Sequence, residues 1–358
     1  MFELCRLYSI RARLRNSLVL AHRDGSLRQR QGTDNLTHDR LDHPADVPAR
    51  RIDAVHRIVS LLPSATEIVC ALGFEGGLVG RSHECDFPAS VTHLPSLTSP
   101  KFNSEGTSAE IDQRVKTILS EALAVYRVDA DLLRDLKPDF IVTQAQCDVC
   151  AVSMREVEDA VAQWTGNHPQ VISLAPYALR DVFADMEHVG TALGAPAHAK
   201  EVVGGLRARM SAIEDRAKAA KSRPRVACVE WIEPLMAAGN WMPELVEMAG
   251  GINLFGKAGE HSPWMKFEEL AAADPDLILI APCGFNMDRA ATDLPALTSR
   301  PEWTGLKAVK EGKVFLGEGN QYFNRPGPRI VESLEILAEI FQAELFNFGH
   351  QGAGWRSL

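Results

Sequence analysis

One group of residues in this sequence has the types that suit soft metal chemistry. His83, Glu84 and Cys85 stand together in the run "RSHECDFP", and Cys147 and Cys150 form a C-x-x-C pair in "QAQCDVC". Imidazole and thiolate bind zinc, iron and cobalt, and C-x-x-C is a common two-ligand spacing. The pattern predicts a metal contact through His83, Cys85 and the C-x-x-C pair. Two alternatives stay open for Cys147 and Cys150: small residues packed at a helix start beneath a cleft, or a redox pair.

Strand and helix patterns place "RSHECDFP" just beyond the end of a strand. The apolar run Ile58 to Leu62 predicts a strand, and Ser64 followed by Glu67 has the S-x-x-E spacing of a capping box. The helix that they would open stops at Gly73, and Leu78 to Gly80 predicts the next strand. This is the order of a parallel α/β layer.

The rest of the first 120 folded residues continues this alternation and predicts a first lobe over residues 56–176. The predicted helices cover 110–126, 131–136 and 151–164, and the predicted strands cover 140–143 and 171–174.

Residues 179–222 contain no strand pattern. Apolar residues recur at helical spacing on both sides of "GAPA" at 194–197, where we expect a bend or break. The segment lacks the Gly/Ser richness of a flexible linker. We therefore predict a stiff helical spine over residues 177–223 that allows only small hinge movements.

A second lobe, residues 224–348, repeats the pattern of the first, and residues 349–358 are predicted to be a tail. "LKPDFIVTQAQC" and "ADPDLILIAPC" both give a helix end, a Pro-Asp turn, a buried strand and then a cysteine. The predicted fold class is α/β, with two Rossmann-like parallel-sheet lobes, a long rigid helix joining them and a ligand cleft between them.

Ligands of open parallel sheets bind beyond the carboxyl ends of the strands. Applied to both lobes, this rule selects loops that carry aromatic residues, including Trp231 and Tyr322, with Trp241 nearby. Each ring could equally be a core residue. Large rings together in loops suit a broad, flat and partly apolar ligand, because aromatic faces bury much area.

Taken together, the chain resembles the helical-backbone (class III) periplasmic binding proteins, and most closely their cobalamin- and iron-chelate-binding branch. The resemblance covers residues 56–348 through "RIVSLLPSATEIVCALG", "LVGRSHECDFP", "LKPDFIVTQ", "MAAGNWMPELVEMAGGINLF", "FEELAAADPDLILIAP" and "YFNRPGPRIVESLEILAEI", in the family's order. No nucleotide-binding or serine-nucleophile motif stands in a fitting context.

The resemblance implies an inter-lobe cleft that binds a corrinoid or related metal chelate without catalysing a reaction and without a required cofactor. The matching ligand-binding positions are Ser64, Ala65, His83, Glu84, Cys85, Asp86, Gln144, Cys147, Trp231, Trp241, Tyr322, Phe323 and Arg325.

The resemblance also implies docking to the permease of an ABC transporter through one acidic residue on each lobe. Asp131 and Glu268 are the predicted pair, with Asp129 and Glu269 beside them as alternatives, and all four could instead be ordinary solvated acids.

Composition excludes some partners and bears on the compartment. A net charge of −9 without a basic patch argues against nucleic acid, and no apolar run is long enough to span a membrane. Residues 1–55, with 10 Arg before residue 52, are predicted to be disordered or an extension from a misplaced start. They contain no export signal, so we expect a cytoplasmic monomer with reduced cysteines, or a periplasmic protein if the true start differs.

Two other functions stay open. The same His and Cys residues would serve a thiol- or metal-dependent enzyme that modifies a corrinoid, or a protein that binds a bare transition metal.

Overall fold

The first sheet is parallel, as the alternating strand and helix patterns predict. The computed structural model describes residues 56–120, 125–145, 157, 161 and 168–358, with the backbone alone at 119 and 120. The sheet has the order β2–β1–β5–β6, and a separate antiparallel ribbon pairs β3 with β4. These strands are β1 (Ile58–Ser60), β2 (Leu78–Arg81), β3 (Thr98–Pro100), β4 (Tyr126–Val128), β5 (Phe140–Gln144) and β6 (Gln170–Leu174).

The helices of this lobe flank the sheet. They are α1 (Pro63–Ala71), α2 (Ser108–Ser120) and α3 (Ala130–Leu136), and the predicted helix 151–164 lies almost entirely outside the described residues. The predicted helix 110–126 begins earlier, at Ser108, and is described as far as Ser120, whereas Tyr126 belongs to β4. Tyr126–Val128 has the aromatic and β-branched residues that favour strands, and β3 offers it a partner.

The predicted capping box at Ser64 and Glu67 is wrong. Helix α1 starts two residues earlier, with Pro63 in its first turn and Leu62 as an N-cap that makes no side-chain hydrogen bond. Proline suits this position because its missing N–H would have no partner in the helix. The Glu67 carboxylate instead binds two arginines of the second lobe.

The spine is two helices and not one nearly unbroken segment. Helix α4 (Leu179–Ala192) ends just before the predicted break at 194–197, and α5 (Pro196–Ala217) begins within it. A Cβ on Gly190 would lie 2.3 Å from the Cβ of Ala199, so glycine lets the two helices cross closely. Only α5, 22 residues and about 33 Å long, has the length of a connecting strut.

The second sheet has the order β12–β11–β10–β7–β8, with β9 also paired to β7. Its strands are β7 (Arg225–Trp231), β8 (Met236–Ala237), β9 (Ile252–Asn253), β10 (Leu277–Ile280), β11 (Val314–Gly317) and β12 (Trp355–Ser357). Its helices are α6 (Met242–Met248), α7 (Phe267–Ala273), α8 (Met287–Asp293), α9 (Pro295–Thr298), α10 (Lys307–Lys310) and α11 (Ile330–Phe341).

The segment predicted to be a tail contributes to this sheet. Trp355–Ser357 forms β12, which pairs antiparallel with the edge strand β11. The Glu339 carboxylate accepts hydrogen bonds from the Trp355 indole and the backbone N–H of Gly349. A paired edge leaves fewer open backbone groups.

The two Pro-Asp turns are equivalent in detail. Asp139 accepts from the backbone N–H of Arg57 and donates its own N–H to the Arg57 carbonyl, each at 2.8 Å. Asp276 exchanges the same pair of bonds with Arg225, at 2.8 and 2.9 Å. In each lobe the aspartate therefore fixes the register between the first strand and the strand after the turn. The internal repeat predicted from the two phrases extends to its hydrogen bonds.

A buried ion network joins the two lobes. Glu67 of α1 receives both Arg325 and Arg329, with the shorter contacts at 3.2 and 2.5 Å, and all three residues are at most 6% exposed. Asp86 binds Arg325 at 2.5 Å and the Asn320 amide at 3.3 Å. Charge-assisted pairs of this kind are costly to break, because each lost partner leaves a buried charge.

Replacing Glu67 with Gln should therefore destabilise the protein by about 3–5 kcal/mol, since two buried guanidinium groups would lose their shared anion. The free energy of unfolding from urea titration measures this loss. Arg134→Ala is the control: it removes an exposed ion pair with Asp131 and should leave the urea midpoint unchanged. An equal loss in both variants would contradict a special role for the buried network.

Candidate functional site

The loop after β2 presents His83 with one ring nitrogen already engaged. The backbone N–H of His83 donates to Thr98 Oγ1 at 3.0 Å, and His83 Nδ1 lies 2.7 Å from the same oxygen. Thr98 Oγ1 in turn donates to Ser82 Oγ, an arrangement that favours the proton on Nδ1. Nε2 is then the nitrogen with a free lone pair, 3.9 Å from Glu84 Oε1.

Burial, and to a lesser degree the Arg81 charge, lowers the pKa of His83 below its ordinary value. Its imidazole is therefore neutral at neutral pH, which is the form that coordinates metals. His83 is 27% exposed. Of the predicted metal ligands that the structure describes, His83 has the right protonation and access.

Cys85 has a different environment. It is 1% exposed and receives a hydrogen bond from Thr66 Oγ1 at 3.0 Å. Burial raises the pKa of its thiol to about 11, so the thiolate form that binds metals is scarce at neutral pH. We therefore remove Cys85 from the set of proposed ligand contacts.

Five other predicted ligand residues are also buried inside the lobes. They are Ser64, Ala65, Gln144, Trp241 and Phe323, each at most 6% exposed. The Trp241 indole donates to the Phe323 carbonyl at 3.3 Å, which fixes both within the core of the second lobe. These side chains shape the loops from beneath and do not present a surface to a ligand.

The polar residues of the first-lobe loop face the second lobe. Asp86 holds Arg325, and although burial opposes it, the Arg325 hydrogen bond and charge lower the pKa of Asp86. Glu84 lies 3.4 Å from the Tyr126 hydroxyl, and burial raises the pKa of its carboxyl. Asp86 and Arg325 therefore form an ion pair with each other, whereas Glu84 lies beside His83.

Tyr322 packs toward helix α11. Its ring lies 5.4 Å from the Arg329 guanidinium and 6.1 Å from the His350 ring. Phe87 covers Arg329 from another side, at 4.0 Å, and is 44% exposed. The exposed aromatic face at this edge of the lobe interface therefore belongs to Phe87, which the sequence reasoning missed.

The loops after β7 and β10 form an aromatic platform. Trp231 meets Phe285 edge to face at 5.2 Å, and the Arg289 guanidinium stacks over Phe285 at 4.0 Å. Phe285 is 2% exposed, whereas Trp231 and Arg289 are partly exposed. Of the three predicted aromatic platforms, Trp231 is the one placed beside a strand end with an accessible surface.

Residues 101–118, which we call the arm, reach from the β3–β4 ribbon to the second lobe. Ser108 donates its N–H to Asp293 Oδ2 at 2.8 Å and accepts the Glu233 N–H on its hydroxyl at 2.9 Å. Ile111 lies in the apolar cluster of the second lobe that contains Phe285. Strand β3, which leads into the arm, contacts His83 through Thr98, and the arm itself contacts the loops of the aromatic platform.

The C-x-x-C pair, Cys147 and Cys150, lies outside the described residues. Among the residues that are described, no group of three or more His, Cys, Asp or Glu side chains is arranged to hold a metal ion. In the same part of the chain, no helix combines the length and apolar character needed to cross a membrane.

Three residues that matter were absent from the sequence prediction, namely Arg329, Arg289 and Ser108, and Glu67 was predicted with another role. The phrase "NRPGPR" carried one usable signal, since two arginines in a strand-end loop call for a buried acid. Glu67 was assigned to a local cap because its partners are more than 250 positions away in the sequence.

Two α/β sheets with loops that meet at their strand ends, joined by a helical strut, define a two-lobed ligand-binding protein. The chain belongs to the periplasmic binding protein family, whose model matches residues 58–320. This agrees with the resemblance in the sequence.

Named relatives and solved structures resemble the chain over most of its length. It is 24% identical to the uncharacterized ABC transporter substrate-binding lipoprotein YvrC of Bacillus subtilis, over 81% of each chain. It is 22% identical to a vitamin B12-binding protein of Yersinia pestis, over 80% of this chain and 86% of the relative. A periplasmic heme-binding protein from Pseudomonas aeruginosa has a TM-score of 0.60 at 22% identity, with 81% of this chain and 94% of that chain covered. The structural likeness shows the shared two-lobed fold.

Cys85 should resist alkylation in the folded protein at pH 8, because its thiol is buried and its pKa is about 11. Iodoacetamide labelling followed by peptide mass spectrometry measures this. Cys283, which is partly exposed, is the internal control and should be labelled first. Equal labelling of Cys85 and Cys283 before unfolding would show that Cys85 is accessible and return it to the candidate ligands.

Proposed function

We propose that this protein captures a metal chelate, and specifically a corrinoid of the cobalamin type, between its two lobes. The ligand would be handed to the permease of an ABC transporter or handled inside the cell. On this proposal the protein binds without chemistry, acts as a monomer and needs no cofactor of its own.

The observation that carries the proposal is that one continuous segment connects His83 with the aromatic platform. Thr98 of β3 bonds His83, and the arm that follows β3 contacts the loops of the platform. His83 offers a neutral imidazole with Nε2 open, which is a suitable axial ligand for cobalt or iron. Trp231 offers a partly exposed ring on the opposite lobe, and buried Phe285 packs against it edge to face. A broad chelate with a metal at its centre needs both features, whereas a bare ion needs no platform.

The relatives support a tetrapyrrole-like ligand, and the corrinoid among them. One curated relative is a vitamin B12-binding protein, and one structural neighbour is a heme-binding protein. The described residues offer His83 as a single nitrogen donor, with buried Cys85 removed. A chelate brings most of the ligands of its metal with it, so one open imidazole nitrogen can complete the coordination.

A titration with hydroxocobalamin, hemin and Zn²⁺ in parallel tests the proposal. We expect hydroxocobalamin to bind most tightly in calorimetry, and at 100 times its dissociation constant to stabilise the fold by about 2.7 kcal/mol. Stabilisation by Zn²⁺ alone would favour the bare-metal alternative. Turnover of the corrinoid that depends on added thiol would favour the enzyme alternative.

His83→Ala should shift the visible absorption bands of bound hydroxocobalamin, because the cobalt would lose an axial nitrogen donor. His93→Ala is the matched control, since His93 is exposed and its Nδ1 contacts only the Ser90 carbonyl among the contacts described. Identical spectra for all three proteins would remove His83 as the axial ligand.

We further propose Asp131 and Glu268 as the docking acids toward a permease. Asp131 is 83% exposed, and Glu268 is exposed in the first turn of α7. Asp129 and Glu269 beside them accept the backbone N–H groups of Leu132 and Lys266, whereas Asp131 has an exposed ion pair with Arg134 for which a permease arginine would compete. Helices α3 and α7 occupy equivalent places in the two lobes, so Asp131 and Glu268 place one acidic residue at a matching position of each lobe.

Charge reversal at both Asp131 and Glu268 should weaken association with the permease and leave chelate affinity unchanged, because neither residue is near the lobe interface loops. Co-purification with a cognate ABC-transporter permease measures the first effect, and calorimetry the second. Reversal of Asp129 and Glu269 is the comparison, and it should lower thermal stability through the lost helix caps. Unimpaired co-purification of the Asp131 and Glu268 double variant would refute this docking surface.

A further inference from the structure

Arg289 is held rigidly at the second-lobe side of the candidate site. It lies in the first turn of α8, directly after the loop that follows β10. Its guanidinium stacks on Phe285 at 4.0 Å, and Phe285 is itself locked against Trp231. A stacked guanidinium keeps its N–H groups at the edge of the plane, where they can point to a partner.

The other arginines at the lobe interface are already neutralised. Arg325 and Arg329 share Glu67, and Arg325 also binds Asp86. Arg300 stacks on Phe267 at 5.0 Å, much as Arg289 stacks on Phe285, but it pairs with Glu233 at 3.5 Å. Among the described residues, no carboxylate lies within ion-pair distance of Arg289.

The hydrogen-bond partner that Arg289 does have is an uncharged carbonyl at an exposed residue. Its guanidinium donates to the Ser104 carbonyl of the arm, which comes from the opposite lobe. Ser104 is exposed, so water can satisfy its carbonyl if the bond is lost. A carboxylate or phosphate would bring a full negative charge and could accept two parallel N–H bonds from the guanidinium, whereas the Ser104 carbonyl is a neutral acceptor. A ligand anion would therefore compete well with a backbone carbonyl for this position.

We infer that Arg289 is a specificity residue that receives an anionic group of the ligand, in place of the Ser104 carbonyl. The inference rests on the proposed function and deepens it, since it gives the ligand class: a metal chelate with an oxyanion at its periphery. A planar guanidinium binds either a phosphate or a carboxylate through two oxygens. In a corrinoid the oxyanion is the phosphodiester of the nucleotide loop, and in heme it is a propionate.

The test pairs each chelate with an analogue that lacks the anion. Cobalamin is compared with cobinamide, which lacks the phosphodiester, and hemin is compared with its dimethyl ester. Arg289→Gln should weaken cobalamin binding about 10- to 100-fold, as expected for a lost charge-assisted hydrogen bond. Binding of cobinamide should change less than about 2-fold, because that ligand offers nothing for Arg289 to bind.

Arg300→Gln is the matched control, because Arg300 also stacks on an aromatic ring but pairs with an acid. It should leave the cobalamin-to-cobinamide ratio unchanged. Arg289→Lys should recover part of the loss, since it restores the charge without the planar fork. Circular dichroism and melting temperature verify that each variant is folded.

Each pattern of results has one meaning. A selective loss for hemin over its ester, with no change for the corrinoids, supports the inference with a carboxylate as the anion. Equal losses for both members of each pair would overturn it, because Arg289 would then act through the fold. Unchanged affinities in Arg289→Gln would also overturn it while the proposed function stands. If the unaltered protein binds none of the chelates, the proposed function fails and the inference fails with it.

Discussion

The contact between Glu67 and its two arginines is the interaction on which the relation of the lobes depends. One carboxylate in the first helix of the first lobe receives Arg325 and Arg329 from the second. Burying three charged groups is costly unless every charge has a partner, so this geometry tolerates little displacement. The network fixes the loops after β2 and β11 against each other, and it neutralises the charges of Arg325 and Arg329 at the interface.

The buried ion network also determines which groups of the site are left to bind a ligand. Because Asp86 and Glu67 neutralise Arg325 and Arg329, these arginines are poorly placed to bind an anionic ligand. His83 and Arg289 are left on opposite lobes with a nitrogen lone pair and a positive charge to offer, and the arm connects their surroundings. A chelate with a metal at its centre and an oxyanion at its edge would use both. At the interface, the charges of the buried network all have partners, whereas the bond between Arg289 and the Ser104 carbonyl is one that a ligand anion would replace.

The two lobes also share a pattern of backbone hydrogen bonds at a sequence motif that occurs once in each. Asp139 and Asp276 were predicted only as members of Pro-Asp turns, and each makes the same two backbone bonds to the first strand of its lobe. This prediction succeeded because the bonds join segments whose order and local sequence repeat. The spine was harder, since a helical pattern continues through α4 and α5 while the close crossing at Gly190 depends on a neighbour 9 residues later.

By itself the sequence determined the alternation of strands and helices, the two lobes and the loop that carries His83, because these follow from local periodicity and strand-end position. It could not separate His83 from Cys85, two positions away, since one side chain opens to the interface and the other is 1% exposed. Nor could it separate Trp231 from Trp241, whose indole bonds the Phe323 carbonyl inside the second lobe. Only the tertiary structure decided which of these side chains are buried and which residues bind Glu67 and Arg289. Both depend on residues that are far apart in the sequence and are brought together by the fold.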